Sequence, residues 1–131
     1  MNSNTRKIFE TYKKEWKDLY EILLRKEKYS EYIEKTDIKD IIQFFKNEVD
    51  ELLESILQED KEEIKKELMD VIYMLNITIL KLMDWNYLEN LDNFWKEIKE
   101  KMIKRAPHLK TWKKITLEEE KKKWREIKNN R

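Results

Sequence analysis

EVDELLESILQEDKEEIKKELMD, residues 48–70, is the stretch that decides the fold of this chain, because it predicts two helices folded back on each other. It carries two acidic pairs at a spacing of three residues, Glu48 with Glu51 and Glu67 with Asp70. Residues three apart share one face of a helix. The pairs are placed symmetrically about the middle of the stretch, so an antiparallel hairpin that turns there directs all four carboxylates into one small volume.

The residues around the acidic pairs predict that this volume faces a core. Glu48 continues the apolar stripe of Ile41 and Phe44, and Asp70 lies on the same stripe as Met74. Such stripes normally point inward, where clustered carboxylates repel each other unless a cation binds between them. Ligation by oxygen alone suits Mg²⁺ or Mn²⁺. The same acidic spacing recurs elsewhere in the chain, so the mirrored placement on apolar stripes carries the prediction of a metal site.

Composition predicts a single all-α domain spanning residues 1–131. The chain has no glycine, one proline and 44% charged residues, so it lacks the turn residues that hairpins and sandwiches need. The absence of cysteine excludes disulfides and thiolate metal sites. We see neither a secretory signal nor an apolar segment long enough to span a bilayer, so we expect a cytoplasmic protein without membrane contact.

Hydrophobic periodicity predicts about five helices packed around one core. The third helix is the most hydrophobic, and we expect it to be buried nearly all round. Two capping boxes, Asp60 with Glu63 and Thr116 with Glu119, mark helix starts. The first predicted helix covers about residues 5–32. The second follows a cap at Thr36 or Asp37 and runs to a turn at residues 58–60. The others cover about residues 60–83, residues 91–105 and a short segment after Thr116.

Charge is unevenly distributed along the chain. Residues 48–70 contain ten acids against three lysines, whereas residues 95–131 contain fourteen basic residues against six acids. An acidic centre with a basic tail suits a metal-bound polyphosphate.

Two pairs in the basic tail share a helix face, Lys101 with Arg105 and Trp124 with Lys128. The first pair is suited to phosphate oxygens, and the second offers a flat surface beside a charge for a nucleobase. On spacing alone, the interpretation in which Trp124 anchors the last helix to the core and the cations are solvated is favoured.

Four elements of the sequence resemble the MazG-like all-α nucleoside triphosphate pyrophosphohydrolases. The segments NEVDEL at 47–52 and ELMDV at 67–71 are similar to the family's EExxE…ExxD signature. KEKMIKRAPHLK at 99–110 and TLEEEKKKWREIK at 116–128 are similar to its C-terminal R-x-P-H and W-E-x-I-K elements. The resemblance covers roughly residues 41–128, within a motif-bearing core of about 38–128.

The resemblance implies a MazG-like fold completed by dimerisation, and an enzyme that cleaves an NTP or dNTP to a monophosphate and pyrophosphate. Family members usually work as homodimers or higher homo-oligomers. The implied site consists of Mg²⁺ ligands Glu48, Glu51, Glu67 and Asp70, with Mn²⁺ as a substitute ion, a base at Glu48 or Glu51, phosphate contacts at Lys101 and Arg105, and nucleotide contacts at Trp124 and Lys128. Asn47 replaces the first glutamate of the family motif; its amide can still contact substrate or metal but cannot act as a base.

Three other readings remain open at this point. The first is a catalytically inactive helical interaction module of the same fold, which the replacement at Asn47 favours. The second, a di-iron bundle, is disfavoured because it needs two Glu-x-x-His motifs and the chain has one histidine. The third, nucleic-acid binding, is disfavoured by a net charge of only +1 and by the acids interspersed in the basic tail.

Overall fold

The computed structural model describes residues 3–84, 87–88, 91–108 and 114–129, and every regular element in these ranges is helical. The predicted all-α class is therefore confirmed. The elements are α1 (Ser3–Tyr29), α2 (Glu31–Lys35), α3 (Ile38–Leu57), α4 (Lys61–Asp84), a 3₁₀ helix at Leu91–Asn93, α5 (Phe94–Arg105) and α6 (Leu117–Asn129). Parts of the predicted connections, at 85–86, 89–90 and 109–113, and the tail at 130–131 lie outside the described residues.

By its contacts the chain forms two compact units, Met1–Leu88 and Glu89–Arg131. The first unit contains helices α1 to α4, and the second contains α5 and α6. The prediction of one domain over the whole length stays a prediction. In the described part of the chain, no helix combines the length and the apolar character that crossing a membrane requires.

The turn between α3 and α4 lies where the symmetry of the acidic pairs predicts it. Glu59 adopts a left-handed conformation with φ of 55°. At the C-terminal end of a helix, the residue in this conformation is usually glycine. The Glu59 N–H donates to the carbonyl of Ile56, and the Asp60 N–H donates to that of Ser55. These two bonds satisfy carbonyls that the end of α3 leaves open. The side chain of Asp60 accepts from the N–H of Glu63 at 3.2 Å and starts α4, as predicted.

Three other predicted helix limits are confirmed. Asp37 caps α3 by accepting a hydrogen bond from the N–H of Lys39 at 2.7 Å. Thr116 caps α6 in the same way, with the N–H of Glu119 as donor at 3.2 Å. Helix α5 ends at Arg105, because the proline at 107 disfavours helical geometry at the residue before it.

The first predicted helix is in fact two helices. α1 ends at Tyr29, and Ser30 is extended with φ of −110° before the five-residue α2. Serine competes with the helix by favouring caps and turns. The break carries Ile33 of α2 into the core, where it is only 1% exposed.

The core of the first unit joins α2, α3 and α4. Its buried side chains are Ile33, Ile41, Met74, Ile77 and Leu80, with Leu23, Tyr32 and Phe45 packed against them. Lys81 of α4 is also fully buried. Its Nζ donates to the carbonyls of Ile33 at 2.7 Å and Glu34 at 3.3 Å. The lysine therefore satisfies carbonyls near the C-terminal end of α2, where a positive charge is favoured.

The prediction that α4 is buried nearly all round is wrong for this chain. Leu68 is 46% exposed, Ile72 is 52% exposed and Leu75 is 46% exposed. Helix α4 packs along α3 with one face and meets α1 and α2 only in part. The chain's described helices leave this second apolar stripe open to solvent.

Candidate metal and nucleotide site

Three of the four predicted metal ligands lie together between α3 and α4. One carboxylate oxygen from each of Glu48, Glu67 and Asp70 lies within 4.8 Å of the other two. The antiparallel hairpin produces this proximity, because it places the helical turn of α3 that starts at Glu48 opposite the helical turn of α4 that ends at Asp70. Three carboxylate oxygens at such separations suit a hard divalent cation.

Glu51 lies beside this group of three. It is exposed on α3, nearly one turn beyond Glu48. Its carboxylate is close enough to Glu48 and Glu67 to raise the pKa of both. The structure therefore brings Glu51 to the rim of the cluster and leaves its side chain accessible to solvent.

The pKa values of two of these carboxyls are raised. For Glu48 the main cause is burial, followed by the negative charges of Glu51 and Asp70. For Glu67 the main cause is again burial, followed by a hydrogen bond with Glu51 and by the neighbouring charges. Both shifts mean that burial and the neighbouring acidic groups disfavour the charged form of these two carboxyls.

Two buried oxygen atoms of the cluster lack a hydrogen-bond partner. The Oε2 atoms of Glu48 and Glu67 are buried without a hydrogen-bond partner. Buried polar atoms are nearly always paired in folded proteins, so each unpaired atom needs an explanation. A cation bound between the two helices would satisfy both atoms, and the residues present therefore fit a divalent metal.

Asn47 is held by a neighbouring amide on the same helix. The Nε2 of Gln43 donates to the Oδ1 of Asn47 at 2.9 Å, and both side chains are exposed. This bond occupies the amide oxygen and leaves the amide hydrogens of Asn47 as donors. Asn47 is thus suited to contact an oxygen of a substrate.

The second unit brings together three of its four predicted substrate residues. The guanidinium carbon of Arg105 lies 5.8 Å from the centre of the Trp124 ring, and Nζ of Lys128 lies 4.6 Å from it. Both distances are typical of cation–π contacts. Trp124 is 40% exposed, so it is not a buried anchor. Lys101 is exposed on α5, one turn before Arg105.

A cavity of about 660 Å³ opens beside Trp124 between α5 and α6. This volume lies in the range of pockets that hold small organic ligands. Its lining includes apolar Met102, Ala106 and Leu117, charged Arg105, Glu120, Lys121 and Arg125, and the ring of Trp124.

Sequence reasoning missed two of these cations, Lys121 and Arg125. They belong to a charged run in α6 that resembles a solvated surface. The available signal was their position: Lys121 precedes Trp124 by three residues and therefore shares its face of the helix.

The chain is similar to known proteins in sequence and in structure. The family model described as MazG nucleotide pyrophosphohydrolase domain matches residues 36–110, which include the acidic cluster, Lys101 and Arg105. A crystal structure of a mazG-related protein from Thermotoga maritima is 28% identical, with a TM-score of 0.71, over 86% of this chain and 98% of that chain. No curated protein sequence matches this chain. Because the family model covers more than half of the residues, the chain belongs to the MazG nucleotide pyrophosphohydrolase domain family.

Proposed function

We propose that this protein is a Mg²⁺-dependent nucleoside triphosphate pyrophosphohydrolase. It cleaves an NTP or dNTP between the α- and β-phosphates and releases a nucleoside monophosphate and pyrophosphate. The observation that carries the proposal is the cluster of Glu48, Glu67 and Asp70, with two buried carboxylate oxygens that lack partners. Membership of the MazG family supports the reaction type.

Glu48, Glu67 and Asp70 would hold the metal, which is Mg²⁺ with Mn²⁺ as a substitute. A bound divalent ion supplies charge neutralisation for the triphosphate and lowers the pKa of a water molecule near the α-phosphate. The carboxylates fix the position of this charge, because the α3–α4 hairpin holds their backbones rigidly. Glu51 is a fourth candidate ligand, and its position at the rim also suits a second role.

Glu51 is the better of the two candidates for the general base. A base must remain free to accept a proton and must reach the attacking water. Glu48 has a buried carboxylate oxygen inside the cluster, whereas Glu51 is exposed beside it. We therefore assign proton acceptance to Glu51 and ligation to Glu48. Asn47, one turn before Glu51, would donate its amide hydrogens to a phosphate oxygen.

The second unit carries residues suited to nucleotide binding. Lys101 and Arg105 offer positive charge for the phosphates, and Arg105 can bind two oxygens at once. Trp124 with Lys128 offers an aromatic surface and a charge for the nucleoside. The cavity beside Trp124 supports this assignment, because it combines an apolar lining with three cations.

The reaction is tested by incubating the purified protein with Mg²⁺ and a panel of normal and modified nucleoside triphosphates. We expect release of pyrophosphate and the matching monophosphate from at least one of them, and no release in the presence of a chelator. Release of orthophosphate alone would contradict the proposed cleavage position. Absence of both Mg²⁺ binding and hydrolysis would instead favour the inactive interaction module.

Replacement of Trp124 by leucine tests the nucleotide assignment. We expect KM to rise about tenfold, the value of one base-stacking contact, while kcat changes little. Steady-state pyrophosphate release across substrate concentrations measures both constants. Trp95→Leu is the matched control, because Trp95 lies on α5 in the same unit, is highly exposed and does not line the cavity. An equal change in KM for both variants would contradict a specific role for Trp124.

We also propose that the protein is a homodimer or a higher homo-oligomer. The support is the exposed apolar stripe of α4, which includes Leu68, Ile72 and Leu75. Contiguous apolar surfaces of this kind mark interaction sites in stable proteins.

A further inference from the structure

The cavity beside Trp124 contains one acidic side chain. Glu120 of α6 lines it together with the cations Arg105, Lys121 and Arg125. A carboxylate in a site for a polyanion is repelled by the phosphates. It contributes to binding only where it meets an uncharged part of the substrate that donates hydrogen bonds. In a nucleotide, the sugar hydroxyls and the base are the parts that meet this condition.

The position of Glu120 on α6 favours the base over the sugar. Glu120 precedes Trp124 by four residues, so both lie on one face of the helix, about 6 Å apart along its axis. Long side chains in a helix lean toward its N-terminus, and the indole ring of Trp124 therefore leans toward the turn that carries Glu120. Lys128 shows the same lean one turn later, because its Nζ lies 4.6 Å from the centre of the Trp124 ring. A base against this ring has one edge within reach of Glu120.

The carboxylate of Glu120 is available to a ligand. The N–H of Glu120 donates to the carbonyl of Thr116 at 3.0 Å, so its main chain is fixed in the first turn of α6. Its side chain is exposed. None of the ion pairs within the described ranges involves Glu120. Both carboxylate oxygens can therefore accept hydrogen bonds from a ligand.

We propose that this cavity binds guanine and that Glu120 determines the preference for it. The two oxygens of Glu120 accept hydrogen bonds from N1–H and from the N2 amino group of the base. The guanine site is the base-binding part of the proposed function and rests on that function. It narrows the substrate to GTP or dGTP.

The hydrogen-bonding groups of the bases explain this choice. A carboxylate has two parallel acceptor oxygens and is best satisfied by two adjacent donors. Guanine is the only common base with two adjacent donor atoms on one edge. Adenine and cytosine each place a ring-nitrogen acceptor beside their amino group, and uracil and thymine flank their single donor with two carbonyls. Each of these four bases brings at least one acceptor against the negative charge of Glu120.

Two cations of the cavity complement the other edge of guanine. Lys121 and Arg125 are four residues apart on α6 and line the cavity with Glu120. Guanine carries two acceptors, O6 and N7, and Arg or Lys is the side chain that most often binds them. A site with a carboxylate, an aromatic ring and neighbouring cations thus offers a partner to both polar edges and to the flat face of guanine.

The test compares GMP with IMP, which differ only in the N2 amino group. Calorimetry measures their binding to the full chain without any chemical step. We expect GMP to bind about tenfold to a hundredfold more tightly than IMP, the contribution of a hydrogen bond to a charged group. Glu120→Gln preserves the size of the side chain but replaces one acceptor with a donor, and it should lower this ratio about tenfold.

Glu118→Gln is the matched control. Glu118 is exposed on the same helix and does not line the cavity, so this variant removes the same charge and should retain the ratio of the unmodified protein. Equal affinity for GMP and IMP, no binding of either, or a ratio that Glu120→Gln leaves unchanged would overturn the guanine site. A carboxylate that binds the sugar hydroxyls would produce the first of these results.

Pyrophosphate release from GTP and ITP separates the guanine site from the proposed function. We expect kcat/KM to favour GTP by the same factor as the binding ratio. Hydrolysis of both at equal kcat/KM would overturn the guanine site and leave the reaction in place. Preferred binding of GMP without pyrophosphate release from any triphosphate would overturn the reaction and leave the guanine site in place.

Discussion

Glu51→Gln is expected to reduce kcat for pyrophosphate release by about 10²–10⁴-fold, the contribution of a positioned general base. Glutamine preserves the size of the side chain and its ability to accept a hydrogen bond, but it cannot take the proton of the attacking water. Glu51 is exposed beside Glu48 and Glu67, so its replacement removes the proton acceptor and leaves the buried carboxylates in place. Single-turnover measurements with saturating substrate and Mg²⁺ report the chemical step directly.

The control for Glu51→Gln is Glu54→Gln on the same helix. Glu54 is exposed and accepts a hydrogen bond from Gln58 at 3.3 Å, outside the acidic cluster. We expect full activity for this variant. Mg²⁺ affinity, measured by calorimetry, should change far less for Glu51→Gln than for Asp70→Asn if Glu51 acts as the base. Equal loss of metal binding in both variants would assign Glu51 to the ligands instead.

The hairpin could be predicted from the sequence because several local signals agree about it. The mirrored acidic pairs indicate a turn near Glu59, and Asp60 with Glu63 indicates where α4 starts. The structure confirms both positions. The capping signal depends only on residues within one helical turn, and the acidic pairs belong to two helices that are consecutive in the sequence. Such signals are readable without knowledge of the rest of the fold.

Features that depend on distant parts of the chain could not be predicted. Lys81 interrupts an apolar run in the sequence, and nothing local reveals that its ammonium group reaches the end of α2. The break at Ser30 likewise depends on how Ile33 enters the core. In both cases the decisive contact joins residues far apart in sequence.

Periodicity also does not reveal what covers an apolar face. The stripe through Leu68, Ile72 and Leu75 is as regular as the buried stripe through Met74 and Ile77, yet it is exposed in the single chain. A sequence reports that a helix has two apolar faces. Whether a face packs inside the chain or on a second copy depends on the number and arrangement of the other helices. The cavity beside Trp124 could not be predicted for the same reason, because it forms only when α5 and α6 pack together.

Glu67→Gln is expected to stabilise the metal-free protein at neutral pH and to abolish its stabilisation by Mg²⁺. The folded state raises the pKa of Glu67 above its ordinary value of 4.5, chiefly by burial. A carboxyl with a raised pKa in the folded state holds its proton more tightly there than in the unfolded state. Its ionisation therefore lowers the free energy of unfolding as the pH rises from about 4.5 through the raised pKa.

Thermal unfolding with and without Mg²⁺ measures both effects. Without metal, we expect the melting temperature of Glu67→Gln to exceed that of the unmodified protein at pH 7 and the difference to disappear below about pH 4.5. With Mg²⁺ at a hundred times its Kd, the unmodified protein should gain about 2.7 kcal/mol, and the variant should gain far less. Glu62→Gln, an exposed change on the same helix, should behave like the unmodified protein.

The two halves of this experiment depend on the same physical cause, which makes their combination more informative than either alone. A purely structural role for Glu67 predicts that its replacement destabilises the protein with or without metal. A solvated surface role predicts no effect in either condition. Only a carboxylate held in place for a cation is unfavourable without the ion and favourable with it, so a variant that is more stable without Mg²⁺ and less stable with it identifies Glu67 as a ligand.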